Sequence, residues 1–247
     1  MTELTKIIAV TAGKGGSGKT ITAALLADAY GRAGRKTILV ELDSGFRCCD
    51  KLLGVDDAIA FDLSDAIAGR CALLATVYPT VRPNLDLIAA AQSADVFFSP
   101  DILRGFCDEL SLYYDVVVLD VPNHYYAVGA LAGCADTALL VTTPDPVSAR
   151  ACYWLSVRLE QLGIADLRLV INRIPRTDAA RRKLPMPDLD EVMDAAALRL
   201  AAVLPESGPL YRFGTLGEFP SPRSLETRIF TALAKRLEGE NIPLLVR

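Results

Sequence analysis

The stretch from Gly13 to Thr20 contains residues that can bind phosphate groups. It reads G-K-G-G-S-G-K-T and matches the phosphate-binding pattern G-x-x-x-x-G-K-[ST] at every fixed position. Small residues allow successive backbone N–H groups to point into one concavity, where they can bind phosphate oxygens. Lys19 would contact the outer phosphates, and the Thr20 hydroxyl would bind Mg²⁺. The predicted nucleotide-binding residues of this glycine loop are Gly13, Lys14, Gly15, Gly16, Ser17, Gly18, Lys19 and Thr20.

Two aspartates follow apolar runs that are typical of buried strands. Asp43 comes directly after residues 36–42, and Asp120 ends the run D-V-V-V-L-D. Carboxylates at the carboxyl ends of parallel strands lie where open α/β sheets bind ligands. Asp43 could hold a water in line with the γ-phosphate or a Mg²⁺-bound water, although a turn-capping aspartate is the alternative. Asp120 would complete a metal site with Thr20 and Asp43.

The elements around these residues alternate along the chain. Residues 7–10 predict a strand before the glycine loop, and residues 21–30 predict a helix after it. Further strands are predicted at 84–90, 115–121, 137–143, 167–171 and 201–204, and further helices at 61–69, 99–112, 145–162, 188–197 and 222–237. This alternation predicts one α/β domain over residues 1–247, with a three-layer, doubly wound and mostly parallel sheet.

The second loop residue, Lys14, adds a lysine near the start of the pattern. The resulting K-G-G-S-G-K-T resembles the deviant Walker A motif of the MinD/ParA family, whose members are dimerising P-loop ATPases of the SIMIBI type. This resemblance implies that Lys14 crosses to the phosphates of a second subunit. It also implies catalytic roles for Lys14, Lys19 and Asp43. An ordinary exposed loop lysine is the alternative interpretation of Lys14.

Residues 41–50 resemble the switch region of the MinD branch, which reads D-x-D-x-G-L-R-N-L-D. Glu41 takes the place of the first acid, and the pair Cys48-Cys49 replaces the residues before the last acid, Asp50. The P-Q-G-N signature of the ParA branch is missing, which favours the MinD side. Asp120-Val121-Pro122 resembles the second switch of the family.

Two later segments resemble the part of the family that surrounds the base. Asn172 and Arg173 end a predicted strand, and Pro205-Glu206 resembles the P-E-D segment. The resemblance implies that Asn172 reads the adenine edge, for which an amide has both a donor and an acceptor. A turn asparagine is the alternative.

The bulk composition restricts the class of protein. The chain has 247 residues, of which 51% are hydrophobic, a formal net charge of −4 and no apolar run long enough for a membrane helix. The N-terminus lacks a secretory pattern, so we expect a cytoplasmic protein. Nucleic-acid binding is expected to be absent or non-specific, because the basic run at 173–183 is more typical of a solvated loop than of a contact patch. Pro243 and a single basic residue in the tail, Arg247, argue against a membrane-targeting helix, so membrane binding would need an adaptor.

The resemblance implies a Mg²⁺- and ATP/ADP-binding switch that forms a homodimer with ATP, responds to an unidentified regulatory protein and acts in spatial regulation such as division-site placement. Two alternatives remain open. One is a metallocentre-maturation ATPase that uses Cys48 and Cys49 across a dimer. The other is a scaffold or partition module that binds nucleotide without hydrolysing it.

Overall fold

The computed structural model describes residues 4–44, 46–92, 99–175 and 188–245. Within these ranges, one sheet contains eight strands, numbered here in chain order: β1 Lys6–Thr11, β2 Thr37–Glu41, β3 Val77–Pro79, β4 Leu85–Ile88, β5 Val116–Asp120, β6 Thr137–Thr142, β7 Asp166–Ile174 and β8 Arg199–Pro205. Their order across the sheet is β3-β4-β2-β5-β1-β6-β7-β8. The β3–β4 pair is antiparallel, whereas the other described pairs are parallel.

Helices connect the parallel strands, because a parallel connection must return the chain to the other end of the sheet. They are α1 Lys19–Arg32, α2 Cys49–Leu52, α3 Leu63–Ile67, α4 Pro100–Leu110, α5 Tyr125–Ala130, α6 Pro146–Gln161, α7 Leu189–Ala196, α8 Gly208–Leu216 and α9 Leu225–Leu237. Short 3₁₀ turns occupy Asp56–Ala58 and Leu73–Thr76. Serine or aspartate side chains accept the first free N–H groups of most of the longer helices, including α4, α6 and α9.

Each face of the sheet has its own apolar core. In β1, Ile8 and Val10 join the core under α1, α8 and α9, whereas Ala9 joins the core under α3 to α7. Successive side chains of a strand point to opposite faces, so a strand buried on both faces must be apolar throughout. The predicted three-layer, doubly wound and mostly parallel fold is confirmed.

Some elements were not predicted from the sequence. These are the edge strand β3 and the helices α2, α5 and α8, of which α8 borders the site described below. Most of the basic run at 173–183 lies outside the described residues. Residues 241–245 of the tail form no helix. In the described part of the chain, no helix combines the length and apolar content that crossing a bilayer requires.

Candidate active site

The sheet order brings the ends of β1, β2 and β5 together. β5 lies between the other two strands, and Asp120 at its end pairs in register with Val10 on one side and Glu41 on the other. The glycine loop leaves β1 immediately beyond this point, and the loop containing Asp43 leaves β2. A doubly wound sheet binds ligands at such a position, where chain connections leave in opposite directions.

Four predicted side chains meet at this edge. Lys19 Nζ lies 2.7 Å from Asp43 Oδ2 and 3.4 Å from Asp120 Oδ1. The Thr20 hydroxyl donates a hydrogen bond of 2.7 Å to Asp120 Oδ2. The structure therefore brings together all three residues predicted to hold Mg²⁺ and the lysine predicted to bind phosphate.

Burial sets the electrostatics of this cluster. Asp120 is fully buried, and this burial raises its pKa even though the charge of Lys19 and the hydrogen bond from Thr20 act in the opposite direction. Burial alone would lower the pKa of Lys19, but the charges of Asp120 and Asp43 and their hydrogen bonds outweigh it and raise this pKa. Lys19 therefore stays protonated, and the buried Asp120 still favours further positive charge beside it.

The glycine loop has the space and the free donors that phosphate groups need. A Cβ added at Gly15 or Gly16 would meet nothing within 4 Å. Among the described residues, the buried Ser17 Oγ has no hydrogen-bond partner, and no side chain caps the N-terminus of α1 at Gly18. Unpaired donors at a helix N-terminus bind anions, so these residues fit a phosphate chain.

A cavity of about 460 Å³ continues from the loop between β7, β8 and α8. Its lining includes all four residues predicted to surround the base, Asn172, Arg173, Pro205 and Glu206. It also includes residues that the sequence reasoning missed: Ile21, Ser207, Leu210, Tyr211, Gly214 and Thr215. Most of these belong to α8. The segment S-G-P at 207–209, a serine cap before a first-turn proline, was the signal that would have predicted this helix.

Asn172 connects the cavity to the glycine loop. Its Nδ2 donates a hydrogen bond of 2.7 Å to the carbonyl oxygen of Ser17, and its Oδ1 accepts one of 2.8 Å from the N–H of Arg173. Arg173 has a positive φ of 60°, which is unusual for a residue other than glycine. Asn172 is thus held by the protein on both sides of its amide, and contact with a base remains a prediction.

Lys14 is exposed on the loop and, among the described residues, takes no part in the ion pairs of Lys19 with Asp43 and Asp120. Its charge acts on Asp145, the N-cap residue of α6. Partial burial would raise the pKa of Asp145, but hydrogen bonds from Thr143 and Ser148 and the charge of Lys14 lower it overall. The structure therefore places Lys14 where a second protein chain could approach it, and its action on a partner remains a prediction.

Glu41 has a structural role that its position in the switch motif did not predict. Its carboxylate is fully buried and accepts hydrogen bonds from the N–H groups of Cys48 at 2.8 Å, Cys49 at 3.0 Å and Ala90 at 3.3 Å. Burial raises the pKa of Glu41 despite these three donors. Glu41 thus fixes the loop that follows Asp43.

Comparisons with known proteins identify the family to which this chain belongs. A family model described as an AAA domain matches residues 5–162. The septum site-determining protein MinD of Synechocystis is 32% identical over 98% of this chain and 92% of its own length. The MinD protein of Bacillus subtilis is also 32% identical, over 97% of this chain and 91% of its own length. The chain belongs to the MinD/ParA family.

Solved structures of MinD proteins share the fold over nearly the whole chain. MinD of Pyrococcus horikoshii, solved with Mg-ADP, superimposes with a TM-score of 0.81 at 30% identity and covers 95% of this chain and 96% of its own. A MinC:MinD complex of Aquifex aeolicus gives a TM-score of 0.85 at 26% identity, with coverage of 98% and 99%. A ParA family ATPase of Chlorobium tepidum, at 20% identity and a TM-score of 0.78, shares the fold alone. The predicted resemblance to the MinD/ParA family is confirmed.

Proposed function

We propose that this member of the MinD/ParA family is a Mg²⁺-dependent ATPase that dimerises with ATP and acts as a switch in placing the division septum. The observation that carries the proposal is the convergence of Lys19, Thr20, Asp43 and Asp120 beside a loop with room for phosphates. The cellular role is supported by the relatives named septum site-determining protein MinD, which align with almost the entire chain.

The glycine loop would bind the phosphates, and Thr20 and Asp120 would hold Mg²⁺. When bound, Mg²⁺ neutralises negative charge on the phosphate oxygens. Lys19 bonds to Asp43 at 2.7 Å in this structure, so the triphosphate must compete with Asp43 for the ammonium group. Transfer of Lys19 to the phosphates would release the Asp43 carboxylate. A free carboxylate beside the site can then orient a water and accept its proton.

The cavity lined by Asn172, Pro205 and Glu206 would take the adenine base. Lys14 would contribute to the site of a second subunit, because it is exposed and does not join the cluster in its own chain. The net charge of −4 gives no general attraction to nucleic acid, which favours a protein as the regulatory partner. The Aquifex MinC:MinD complex is an example of such a pairing in the family.

The Asp43→Ala variant tests this proposal. We expect it to lose ATP turnover by about a hundredfold or more, since positioned acid–base groups typically contribute this much. It should keep or tighten ATP binding, because Lys19 no longer has to leave Asp43. Size-exclusion chromatography with light scattering should therefore show dimers with ATP and monomers with ADP. Asp57→Ala, which removes an exposed aspartate that lines a different cavity, is the matched control.

Adding Lys14→Ala to Asp43→Ala tests the shared site. The double variant should bind ATP but remain monomeric. Dimers that form equally with ADP, or an Asp43→Ala protein with normal turnover, would contradict the proposal. Stoichiometric ATP binding without Lys19-dependent phosphate release in the unsubstituted protein would instead favour the non-hydrolysing scaffold.

A further inference from the structure

Three potential metal ligands lie close together just beyond the active site. The ligand atoms of Glu41, Cys48 and Cys49 are all within 4.8 Å of one another. Both cysteines are free thiols. Glu41 and Cys49 are buried, whereas Cys48 is half-buried. The nucleotide chemistry proposed above uses none of these three side chains.

The backbone holds the carboxylate of this cluster in a fixed orientation. Glu41 Oε1 accepts hydrogen bonds from the backbone N–H groups of Cys48, at 2.8 Å, and Cys49, at 3.0 Å. Oε2 accepts one hydrogen bond, from Ala90 at 3.3 Å, and an oxygen with two lone pairs can take a further partner. Within the described ranges, no lysine or arginine forms an ion pair with Glu41. Hydrogen bonds of this kind are what orient ligating carboxylates in protein metal sites.

We propose that Glu41, Cys48 and Cys49 form a binding site for a thiophilic divalent cation, represented by Zn²⁺. Two thiolates and one carboxylate match the preference of Zn²⁺ for sulfur, nitrogen and oxygen ligands, whereas Mg²⁺ requires oxygen alone. Binding replaces the two thiol protons, which pass to solvent. Water would take the fourth position, as in zinc sites with three protein ligands. One chain thus supplies three ligands, so the site needs no second subunit, in contrast to the arrangement across a dimer considered from the sequence.

The site spans the ends of the loop that carries Asp43. Glu41 ends β2, Cys48 directly precedes α2 and Cys49 begins it, and residues 42–47 lie between Glu41 and the two cysteines. A cation bound to both ends would restrict this loop and so the position of Asp43 opposite Lys19. This consequence for turnover depends on the proposed function, whereas cation binding itself does not.

Spectroscopic titration of the full chain tests the site. The protein is treated with a chelator, kept reduced with a phosphine and titrated with Co²⁺, which replaces Zn²⁺ and reports thiolate ligands by a charge-transfer band. We expect one equivalent of Co²⁺ to bind and to be displaced by Zn²⁺. Competition with a chromophoric chelator should show at least a tenfold loss of Zn²⁺ affinity in Cys48→Ser, about the smallest effect expected for a group in a metal site.

Cys71→Ser is the matched control, because Cys71 is also half-buried but lies outside the cluster. It should bind like the unsubstituted protein. Glu41→Gln should weaken binding while circular dichroism verifies its fold; if it does not fold, Cys48→Ser alone decides. The absence of a thiolate–cobalt band, or equal loss in Cys48→Ser and Cys71→Ser, would overturn the proposal. Normal Zn²⁺ binding by a protein that does not dimerise on addition of ATP would refute only the proposed function.

Discussion

Asn172 shows how one side chain can belong to two parts of a site. Its Nδ2 donates to the Ser17 carbonyl in the glycine loop, and the same residue lines the cavity beside it. A Cβ added at Gly18 would lie 2.2 Å from this Nδ2, so the amide packs tightly against the loop backbone. The loop geometry and the base cavity are therefore coupled through a single buried amide.

Replacing Asn172 with alanine separates these two roles. Loss of the 2.7 Å bond to Ser17 should loosen the loop and weaken the binding of both ATP and inorganic tripolyphosphate. Loss of a base contact should weaken ATP binding only. Loss of the bond to Ser17 should lower the affinity for both ligands by about fivefold to tenfold, since a hydrogen bond contributes about 1 kcal/mol. The affinity for ATP should fall further, because the base contact is lost as well.

Isothermal titration with the two ligands provides the measurement. Thr215→Ala, which changes another residue that lines the cavity but does not contact Ser17, should affect ATP alone. An Asn172→Ala protein with unchanged tripolyphosphate affinity would show that the bond to Ser17 does not support the loop.

At the scale of residues, the sequence predicted which side chains form the candidate site, but it predicted only part of the contacts between them. Lys19, Thr20, Asp43 and Asp120 were predicted because each lies in a short motif or directly after an apolar run. The bond from Asn172 to Ser17 joins residues 155 positions apart. Nothing in either local sequence specifies it, since it depends on the positions of β1 and β7 in the folded sheet.

At the scale of elements, the sequence predicted those that have strong local signals. The buried strands contain short apolar runs, and α4 and α6 begin with a polar cap followed by proline. The helix α2 has only four residues, and the strand β3 only three, so neither is long enough for its hydrophobic periodicity to be recognised in the sequence. Such short elements are stabilised by tertiary packing rather than by their own sequence.

The cap of α6 leads to a prediction about pH. Asp145 accepts hydrogen bonds from the Ser148 N–H at 2.9 Å and from the Thr143 hydroxyl at 2.6 Å. Asp145→Ala should lower the free energy of unfolding by about 1 kcal/mol at neutral pH, as expected for a lost N-cap. Asp145→Asn keeps an oxygen acceptor but loses the charge near the helix N-terminus and Lys14, so it should cost less.

The sign of the pH effect follows from the lowered pKa of Asp145. In the folded protein, Asp145 stays ionised at pH values somewhat below its ordinary pKa of 3.8. At the same pH, this carboxyl group binds a proton in the unfolded chain. The stabilisation is therefore complete above 3.8 and is lost as the pH falls through the lowered folded pKa. Urea unfolding should show that the advantage of the unsubstituted protein over Asp145→Asn shrinks on acidification. An advantage that grows would contradict this assignment.

At the scale of the whole molecule, a chain of polar and aromatic contacts joins distant segments on one face of the sheet. Asp28 of α1 is buried and contacts Arg32 Nε at 2.9 Å and Arg82 Nε at 2.5 Å. The Arg82 guanidinium lies 4.4 Å from the ring centroid of Phe219, which packs at 4.8 Å against Phe213 of α8. Through these contacts, the helix after the glycine loop is connected to the β3–β4 turn and to the wall of the base cavity.

This chain of contacts predicts that Asp28→Ala is strongly destabilising although Asp28 is remote from the phosphates. Both arginines keep about a quarter of their side-chain surface exposed and can be hydrated, so the cost should be about 2 kcal/mol, less than for a fully buried pair. Glu218→Ala breaks an exposed ion pair with Arg212 and should change stability by no more than about 0.5 kcal/mol.

A double-variant cycle with Arg82→Ala decides whether the ion pair itself is responsible. If Asp28 acts through Arg82, urea unfolding of the double variant should be less destabilised than the sum of the two single variants, because removing both partners leaves no unpaired charge. Strict additivity would mean that Asp28 and Arg82 stabilise the protein independently. Asp28 would then act through Arg32 within α1, and the contact of Arg82 with Phe219 would support the wall of the base cavity without Asp28.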